Sequence, residues 1–337
     1  METPTKVAVV ILNYNGIHWL KKFLGDVVLK SPTADVYVAD NASTDNSVKY
    51  IKTNFPNVKL VQNKSNEGYA GGYNNALQRI KSDYYVLLNS DVEVTENWLS
   101  PIINLMDKDK SIAACQPKIK KYDNKSSFEY AGACGGYLDK YGYPFCRGRV
   151  FDTLEEDDNQ YDEATEVFWA SGACLFLRST PFYEVGGFDW DFFAHMEEID
   201  LCWRLKNKGY KIMCEPKSTV YHVGGGTLNS GSTFKSFLNY RNNLLMLYKN
   251  LAPEGRFSIL FTRMLLDGIS SVKFIINGKP QHIFSILKAH IKYYTFLKTF
   301  KKKRPQNYSA KLFPKSVVYL YFVKKLKTYN QLNKDFS

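Results

Sequence analysis

Apolar runs that halt on polar clusters recur through residues 7–91, and this alternation narrows the fold more than any other feature of the 337-residue chain. Val7 to Leu12 is a continuous, β-branched run of the kind shown by a strand buried on both faces, and it stops at Asn13-Tyr14-Asn15-Gly16. A helical stretch follows, with Trp19, Leu20, Phe23 and Leu24 spaced to share one face. The cycle repeats with a strand Val36 to Ala39, a turn Asp40 to Asp45, a helix to about Asn54 and a strand Val58 to Val61. It repeats again with a glycine-rich turn, a helix Tyr73 to Lys81, a strand Tyr84 to Leu88 and the stop Asn89-Ser90-Asp91. Strands alternating with helices of this length predict an α/β fold built on a doubly wound, mostly parallel sheet.

Such sheets bind ligands in the crevice beyond the carboxyl ends of their strands. The clusters 13–15, 40–45 and 89–91 are therefore expected on one rim. Each alone serves equally well as a turn and helix cap, but three at one edge call for a shared purpose. Residues 66–75, with Gly68, Gly71 and Gly72 before a predicted helix, suit either a close anion contact or a purely structural helix start. They form neither a dinucleotide-binding fingerprint nor a P-loop, which disfavours dehydrogenases and P-loop NTPases. Asp91 and Glu93 flank Val92 and can point the same way, offering hard oxygen ligands to Mg²⁺ or Mn²⁺, unless they only solvate a loop.

A second acidic cluster lies further on. From Thr165 a strand is expected to cross Gly172 and end near Arg178. After Gly186-Gly187-Phe188-Asp189, the stretch 191–205 takes helical spacing, with Glu197, Asp200 and Arg204 on one face. Glu197 and Glu198 at a helix start complement its dipole; beside aromatic residues and His195, a carboxylate there is also suited to general-base work. Strands 210–214 and 218–221 follow, the second ending at His222 ahead of Gly224-Gly225-Gly226.

Taken in order, Val10-Ile11-Leu12-Asn13-Tyr14-Asn15, Asp40 to Asp45, Asn66-x-Gly68 with Asn74-Asn75, Leu87 to Asp91, Ala170 to Ala173, Gly186 to Asp189, Glu197 to Asp200 and His222 resemble a family 2 glycosyltransferase of the GT-A fold, in its rhamnosyltransferase-like bacterial branch. The resemblance covers roughly residues 5 to 250. It implies that Asn13, Tyr14 and Asp40 contact the nucleoside of a nucleotide-diphosphate sugar donor, that Asn66 and Gly68 line the donor pocket, and that Asn89-Ser90-Asp91 stands where the family has D-x-D. Asp91 and His222 would then be ligands of Mg²⁺ or Mn²⁺. Glu198 takes the position of the family's usual Asp base, one methylene longer, which leaves Glu197 as a rival. The acceptor side is expected around Trp169, Gly172, His195 and Asp200. The implied reaction is inverting, metal-dependent sugar transfer to a glycan or lipid-linked hydroxyl in cell-surface polysaccharide synthesis. A nucleotidylyltransferase and an inactive sugar-nucleotide-binding scaffold are the alternatives.

Charge divides the chain. Residues 241–337 hold 19 Lys and Arg against three acids, whereas the chain as a whole carries +12, so the first 240 residues are mildly acidic. The expected organisation is a catalytic domain 1–250, with a nucleotide-sugar half 1–110 and an acceptor half 111–250, followed by a basic helical region 251–337. Within 257–304, apolar residues interrupted by Arg263, Asp267 and Lys273 argue for amphipathic helices that lie on an anionic membrane or pack on the domain with a solvated lysine face. No nucleic-acid motif accompanies the basic charge. Val7 to Leu12 is too short for a signal-peptide core, and six cysteines show no metal spacing, so reduced thiols and a cytoplasmic chain are expected, with a peripheral membrane seat if the tail binds lipid.

Overall fold

The structure, a computed structural model, describes residues 5–224 and 231–334. In chain order its elements begin β1 Val7–Asn13, α1 Ile17–Leu29, β2 Asp35–Asp40, α2 Ser47–Asn54, β3 Lys59–Gln62, α3 Gly68–Leu77, β4 Tyr84–Asn89, β5 Val92–Val94, α4 Ser100–Lys108 and β6 Ile112–Lys121. A small meander follows as β7 Gly136–Leu138, β8 Pro144–Cys146, β9 Arg149–Val150 and β10 Thr153–Leu154. Then come β11 Thr165–Val167, β12 Cys174–Arg178, α5 Ser179–Glu184, α6 Glu197–Asn207 and β13 Lys211–His222. Five helices complete the chain: α7 Thr233–Asn250, α8 Arg256–Ile276, α9 Gln281–Lys302, α10 Val317–Phe322 and α11 Tyr329–Lys334.

The main sheet runs β11-β13-β6-β12-β4-β1-β2-β3, with β5 paired to β13. β1 to β4, β6 and β13 run in one direction, and β12 runs against β4 and β6. The β-branched strands are buried from both sides, as their continuous apolar runs require. Val9, Ile11, Val38 and Val86 pack toward α1, α2 and α4, while Val10, Leu87 and Leu175 pack toward α3, α6 and α7. Register aligns the strand ends: Asn13 lies opposite Asp40, and Leu12 opposite Asn89. The polar stops therefore share one rim, as the alternation demands.

Four local expectations change. α3 starts at Gly68, so the glycines form its first turn. The continuous strand expected from Thr165 to Arg178 is two strands, because Ser171 is drawn aside by Gln116, whose Oε1 accepts from its N–H at 2.9 Å. β11 thereby reaches the sheet edge on β13, while β12 enters its centre. The two strands predicted at 210–221 are one, β13, with a register shift between Glu215 and Thr219 around Pro216. Finally, the patternless stretch 122–165 contains the four-stranded second sheet, whose pairs are too short to show a period of two.

The C-terminal helices are held to this body. Leu260, Tyr293 and Phe300 join the same apolar cluster as the sheet, and Val317, Leu320, Tyr321 and Leu332 cover Phe145 and Val150 of the small sheet. All six cysteines are buried, unpaired thiols.

Candidate active site

At the donor rim the loops after β1 and β2 are sewn together. Asn13 Nδ2 donates to Asp40 Oδ1 at 3.0 Å, Asp40 Oδ2 accepts from Ser43 N–H at 3.0 Å, and Ser43 Oγ accepts from Asn15 N–H at 2.9 Å. Asn13 and Asp40 are buried, whereas Tyr14 projects with 41% of its surface exposed. A Cβ on Gly16 would stand 2.6 Å from Asn13 Oδ1 and 3.6 Å from Ser90 Oγ, so the third strand end closes on the first. Asn66 Oδ1 accepts from Asn41 Nδ2 at 2.9 Å and from Gly68 N–H at 3.0 Å. Gly68 has φ +68°, and a Cβ there would meet Phe193 O at 2.3 Å. That carbonyl already accepts from Tyr69 N–H at 2.7 Å and Ala70 N–H at 3.2 Å. The first amides of α3 are thus occupied within the protein, which removes the anion contact considered for the glycine-rich start.

Asp91 and His222 come together. Asp91 follows β4 in a turn and His222 ends β13; their Oδ1 and Nε2 atoms are 3.2 Å apart, and both residues are buried. Glu93 does not join them. Asp91 lies outside the strand, so the alternation that would align the two acids fails, and Glu93 pairs with Lys125 at 2.5 Å. The second carboxylate comes from Glu129, whose Oε1 lies 3.4 Å from His222 Nδ1 on the far side of the ring. Burial alone would lower the imidazole pKa, but Asp91 and Glu129 overcome it and push the group up to about 10. Nothing in the sequence singles out Glu129; it arrives through the hydrogen bond of its N–H to Ile119 O at 3.1 Å. The pair offers one oxygen and one imidazole nitrogen, which fits a divalent cation only where substrate oxygens and water fill its other positions, and a carboxylate behind the imidazole can fix its orientation. Among the described residues no group of three or more His, Cys, Asp or Glu could hold a metal ion. Gly225 and Gly226, expected beside His222, lie outside the described residues.

A run of contacts leads from this pair to the second acidic cluster. Glu129 Oε2 accepts from Ala131 N–H, and Ala131 O accepts from Ser171 Oγ. Gly172 O accepts from the Tyr69 hydroxyl at 2.8 Å, and Ala173 O accepts from Asn89 N–H at 3.0 Å, returning to the turn that bears Asp91. Burial, Tyr73 and then the charges of Glu197 and Glu198 hold the Tyr69 phenol well above its ordinary pKa, so both glutamates lie near its ring.

The glutamates open α6 after an unusual backbone. Phe193, His195 and Met196 have φ of 64°, 70° and 74°, a left-handed region that disfavours side chains. Asn242 of α7 holds this stretch, its Nδ2 donating to Phe192 O at 2.9 Å and to Ala194 O and His195 O at 2.8 Å each. Glu197 is buried and Glu198 only partly so, yet protein atoms crowd both. Burial and then the neighbouring Glu198 raise the Glu197 pKa well above the carboxylate range. Burial pushes Glu198 up to about 7, against backbone N–H groups that favour its anion. The two carboxyls therefore titrate as a coupled pair.

The remaining acceptor-side expectations divide. Gly172 faces Tyr69, and a Cβ there would meet its hydroxyl at 2.9 Å. Burial, then Lys235, lowers the His195 pKa to about 4. Trp169 is buried, its indole N–H donating to Tyr137 O at 3.0 Å. Asp200 is fully buried and bonded to Arg204 at 2.8 Å, Lys249 at 2.9 Å and Asn250 at 2.7 Å. Both are committed to the protein interior, because the α6 face that carries Asp200 turns onto α7 rather than toward the rim.

Known proteins resemble this chain in sequence and in fold. Residues 8–172 match the family model described as Glycosyl transferase family 2. The N-acetylglucosaminyl-diphospho-decaprenol L-rhamnosyltransferase of Mycobacterium tuberculosis is 26% identical over 64% of this chain and 75% of its own length. Among solved structures, GalNAc-T7 with UDP, GalNAc and Mn²⁺ superposes with TM-score 0.57 and 19% identity over 74% of this chain, which spans about half of that longer protein, 48%. Staphylococcus aureus TarS 1–349 in complex with UDP-GlcNAc superposes with TM-score 0.55 and 13% identity, covering 90% of this chain and 93% of its own.

Proposed function

Because the chain belongs to glycosyltransferase family 2, on its rhamnosyltransferase-like side, we propose that it transfers a sugar, with inversion, from a nucleotide-diphosphate donor to a hydroxyl of a glycan or lipid-linked acceptor. The observation that carries this reading is the run of contacts from the Asp91–His222 pair through Glu129, Ala131 and Ser171 to Gly172, whose carbonyl accepts from Tyr69, the phenol whose pKa the charges of Glu197 and Glu198 help to raise. The diphosphate site and the proton acceptor lie, in this reading, on either side of Tyr69.

In this reading Tyr14 offers an aromatic face to the nucleobase and the Asn13–Asp40 bond fixes the loop that presents it, with Asn66, Gly68, Asn89 and Ser90 lining the donor pocket. Asp91 and His222 would hold Mg²⁺ or Mn²⁺, with Glu129 orienting the imidazole; the cation, when bound, supplies positive charge where the departing nucleoside diphosphate becomes more negative. Glu198 accepts the acceptor's hydroxyl proton as that oxygen attacks the anomeric carbon on the face opposite the leaving group. Glu197 beside it, whose pKa burial and the neighbouring Glu198 raise, disfavours a second negative charge at the pair. The mycobacterial relative's name pairs rhamnosyl transfer with a diphospho-decaprenol acceptor, which supports a lipid-linked acceptor, a role in cell-surface polysaccharide synthesis and a peripheral seat on the cytoplasmic membrane face. Among the described residues no helix is long and apolar enough to cross a membrane.

The test is a panel of nucleotide sugars with Mg²⁺ or Mn²⁺, read by thermal stabilisation and by slow donor hydrolysis. One donor should do both, and only with metal. Release of pyrophosphate from a nucleoside triphosphate would instead identify a nucleotidylyltransferase, and binding without hydrolysis or transfer a scaffold.

A further inference from the structure

Beside Leu260, the inward face of α8 buries a charged pair: Arg263 Nε donates to Asp267 Oδ1 at 2.8 Å, and His290 of α9 reaches Asp267 Oδ2 at 3.2 Å. The opposite face is apolar and open. Phe257, Phe261, Leu265, Ile269, Val272 and Ile276 follow at helical spacing, each between 54% and 84% exposed. On α9, Phe284, Leu287, Ile291 and Tyr294 are between 54% and 75% exposed.

The two rows form one surface. Phe274 stacks on His282 at 4.7 Å, Asp267 meets His290, and the Tyr294 hydroxyl reaches Met264 Sδ at 3.6 Å, so α8 and α9 lie antiparallel. That register sets Leu265 level with Ile291, Ile269 with Leu287 and Val272 with Phe284. Monomeric proteins rarely leave an apolar patch of this extent in water. Its charge decides what covers it. Lys279, Lys288, Lys292, Lys298, Lys301 and Lys302 are exposed on or beside these helices, while the only acid from Arg256 to Lys302 is the buried Asp267. A second copy of the chain would bring lysines against lysines. An anionic lipid surface meets both demands, taking the apolar side chains into its acyl boundary and the lysines among its headgroups.

We infer that α8 and α9 together form a membrane-insertion face, on which the protein docks by burying apolar side chains in an anionic lipid layer rather than by lysine attraction alone. The face reaches the catalytic cleft. Ser236 of α7 bonds His282 Nδ1 at 2.8 Å, and the half-exposed Phe234 meets Phe193 edge-on at 6.3 Å, the residue whose carbonyl takes the first amides of α3. A lipid-linked acceptor held in the same layer would therefore approach along α7; this purpose rests on the function proposed above, whereas the docking does not.

The test is cosedimentation of the full-length protein with vesicles of phosphatidylcholine, with and without phosphatidylglycerol, at low and high salt. Binding to the anionic vesicles is expected and should persist in part at high salt, where exposed charges are screened. The double variant Ile269→Glu/Leu287→Glu should lose at least about tenfold in partitioning, while its melting temperature and hydrolysis of free nucleotide sugar stay as in the parent. Should that variant misfold, Lys288→Glu/Lys292→Glu is to be used, and it should remove the preference for anionic over neutral vesicles. The inference is overturned if the parent does not sediment, if the folded variants bind as the parent does, or if light scattering shows a dimer that Ile269→Glu/Leu287→Glu converts to monomer. Donor hydrolysis that fails in the parent while vesicle binding holds would count against the proposed reaction and not against docking.

Discussion

The two adjacent glutamates at the start of α6 can be told apart by experiment. Burial pushes Glu198 up to about 7 and raises Glu197 well above the carboxylate range, which makes Glu198 the readier proton acceptor. Glu198→Gln should reduce transfer by about 10²- to 10⁴-fold, the usual contribution of a positioned general base, and leave donor affinity unchanged. Burial favours the neutral form of Glu197, so Glu197→Gln should cost less than about tenfold. For the parent, the rate should fall as pH drops below 7, reaching roughly a tenth of its plateau one unit lower, and this acid limb should vanish in Glu198→Gln. Stability should move the opposite way. A carboxyl whose folded pKa is raised stabilises the fold fully below its unfolded pKa, near 4.5, and loses that contribution as pH rises through about 7. The loss is roughly 3 kcal/mol, so Glu198→Gln should melt higher than the parent at pH 8 and about equally at pH 4. Initial-rate profiles and melting curves from pH 4 to 9 measure both effects. If Glu197→Gln abolishes transfer and Glu198→Gln does not, the assignment of the base is wrong; if the melting difference ignores pH, so is the account of its burial.

Other outcomes follow from single contacts. Glu129→Gln should weaken Mn²⁺ binding, measured by electron paramagnetic resonance, by about 10- to 100-fold, as loss of an outer partner of a ligating histidine does. Lys249→Met removes the buried cation shared by Asp189 and Asp200, which it bonds at 2.8 and 2.9 Å, and leaves them to Lys303 and Arg204; urea unfolding should show a loss of about 3 kcal/mol. Asn242→Ala frees three carbonyls ahead of α6, and transfer should fall more than donor binding, since the affected backbone carries Glu197 and Glu198. Gly68→Ala would force Phe193 O away from the first amides of α3, and calorimetry should show weakened donor binding.

How much of this is legible in the chain depends on the range of the interaction concerned. Val7 to Asn13 and Tyr84 to Asn89 read as strands because burial on both faces leaves a continuous apolar run, and their polar stops read as one rim because parallel strands end together. Glu197 and Glu198 stand out because acids at a helix start are a local pattern. Glu129 and Asn242 do not, since each acts across the fold, on His222 and on residues 192–195. Asp200 misleads for the same reason: its i, i+4 partner Arg204 is visible in sequence, but Lys249 and Asn250, which seal it in the interior, are about fifty positions away. The outward apolar face of α8 is likewise hidden, because Arg263 and Asp267 look like its water-facing side until their partners are seen.

The buried cluster of Asp189, Asp200 and Lys249 includes a cation from much further along the chain. Lys303, just past the end of α9, bonds Asp189 at 2.5 Å and Asp191 at 2.7 Å, and Lys249 with Lys303 holds Asp189 down to about 2. Residue 250 marks a change in composition, yet it is a poor place to cut or to graft. A chimera that took its last helices from a relative would inherit Asp189 and Asp191 without Lys303 and Asn243 without Arg263, so exchange of acceptor or membrane preference between such enzymes requires these residues and their cations after α7 to travel together.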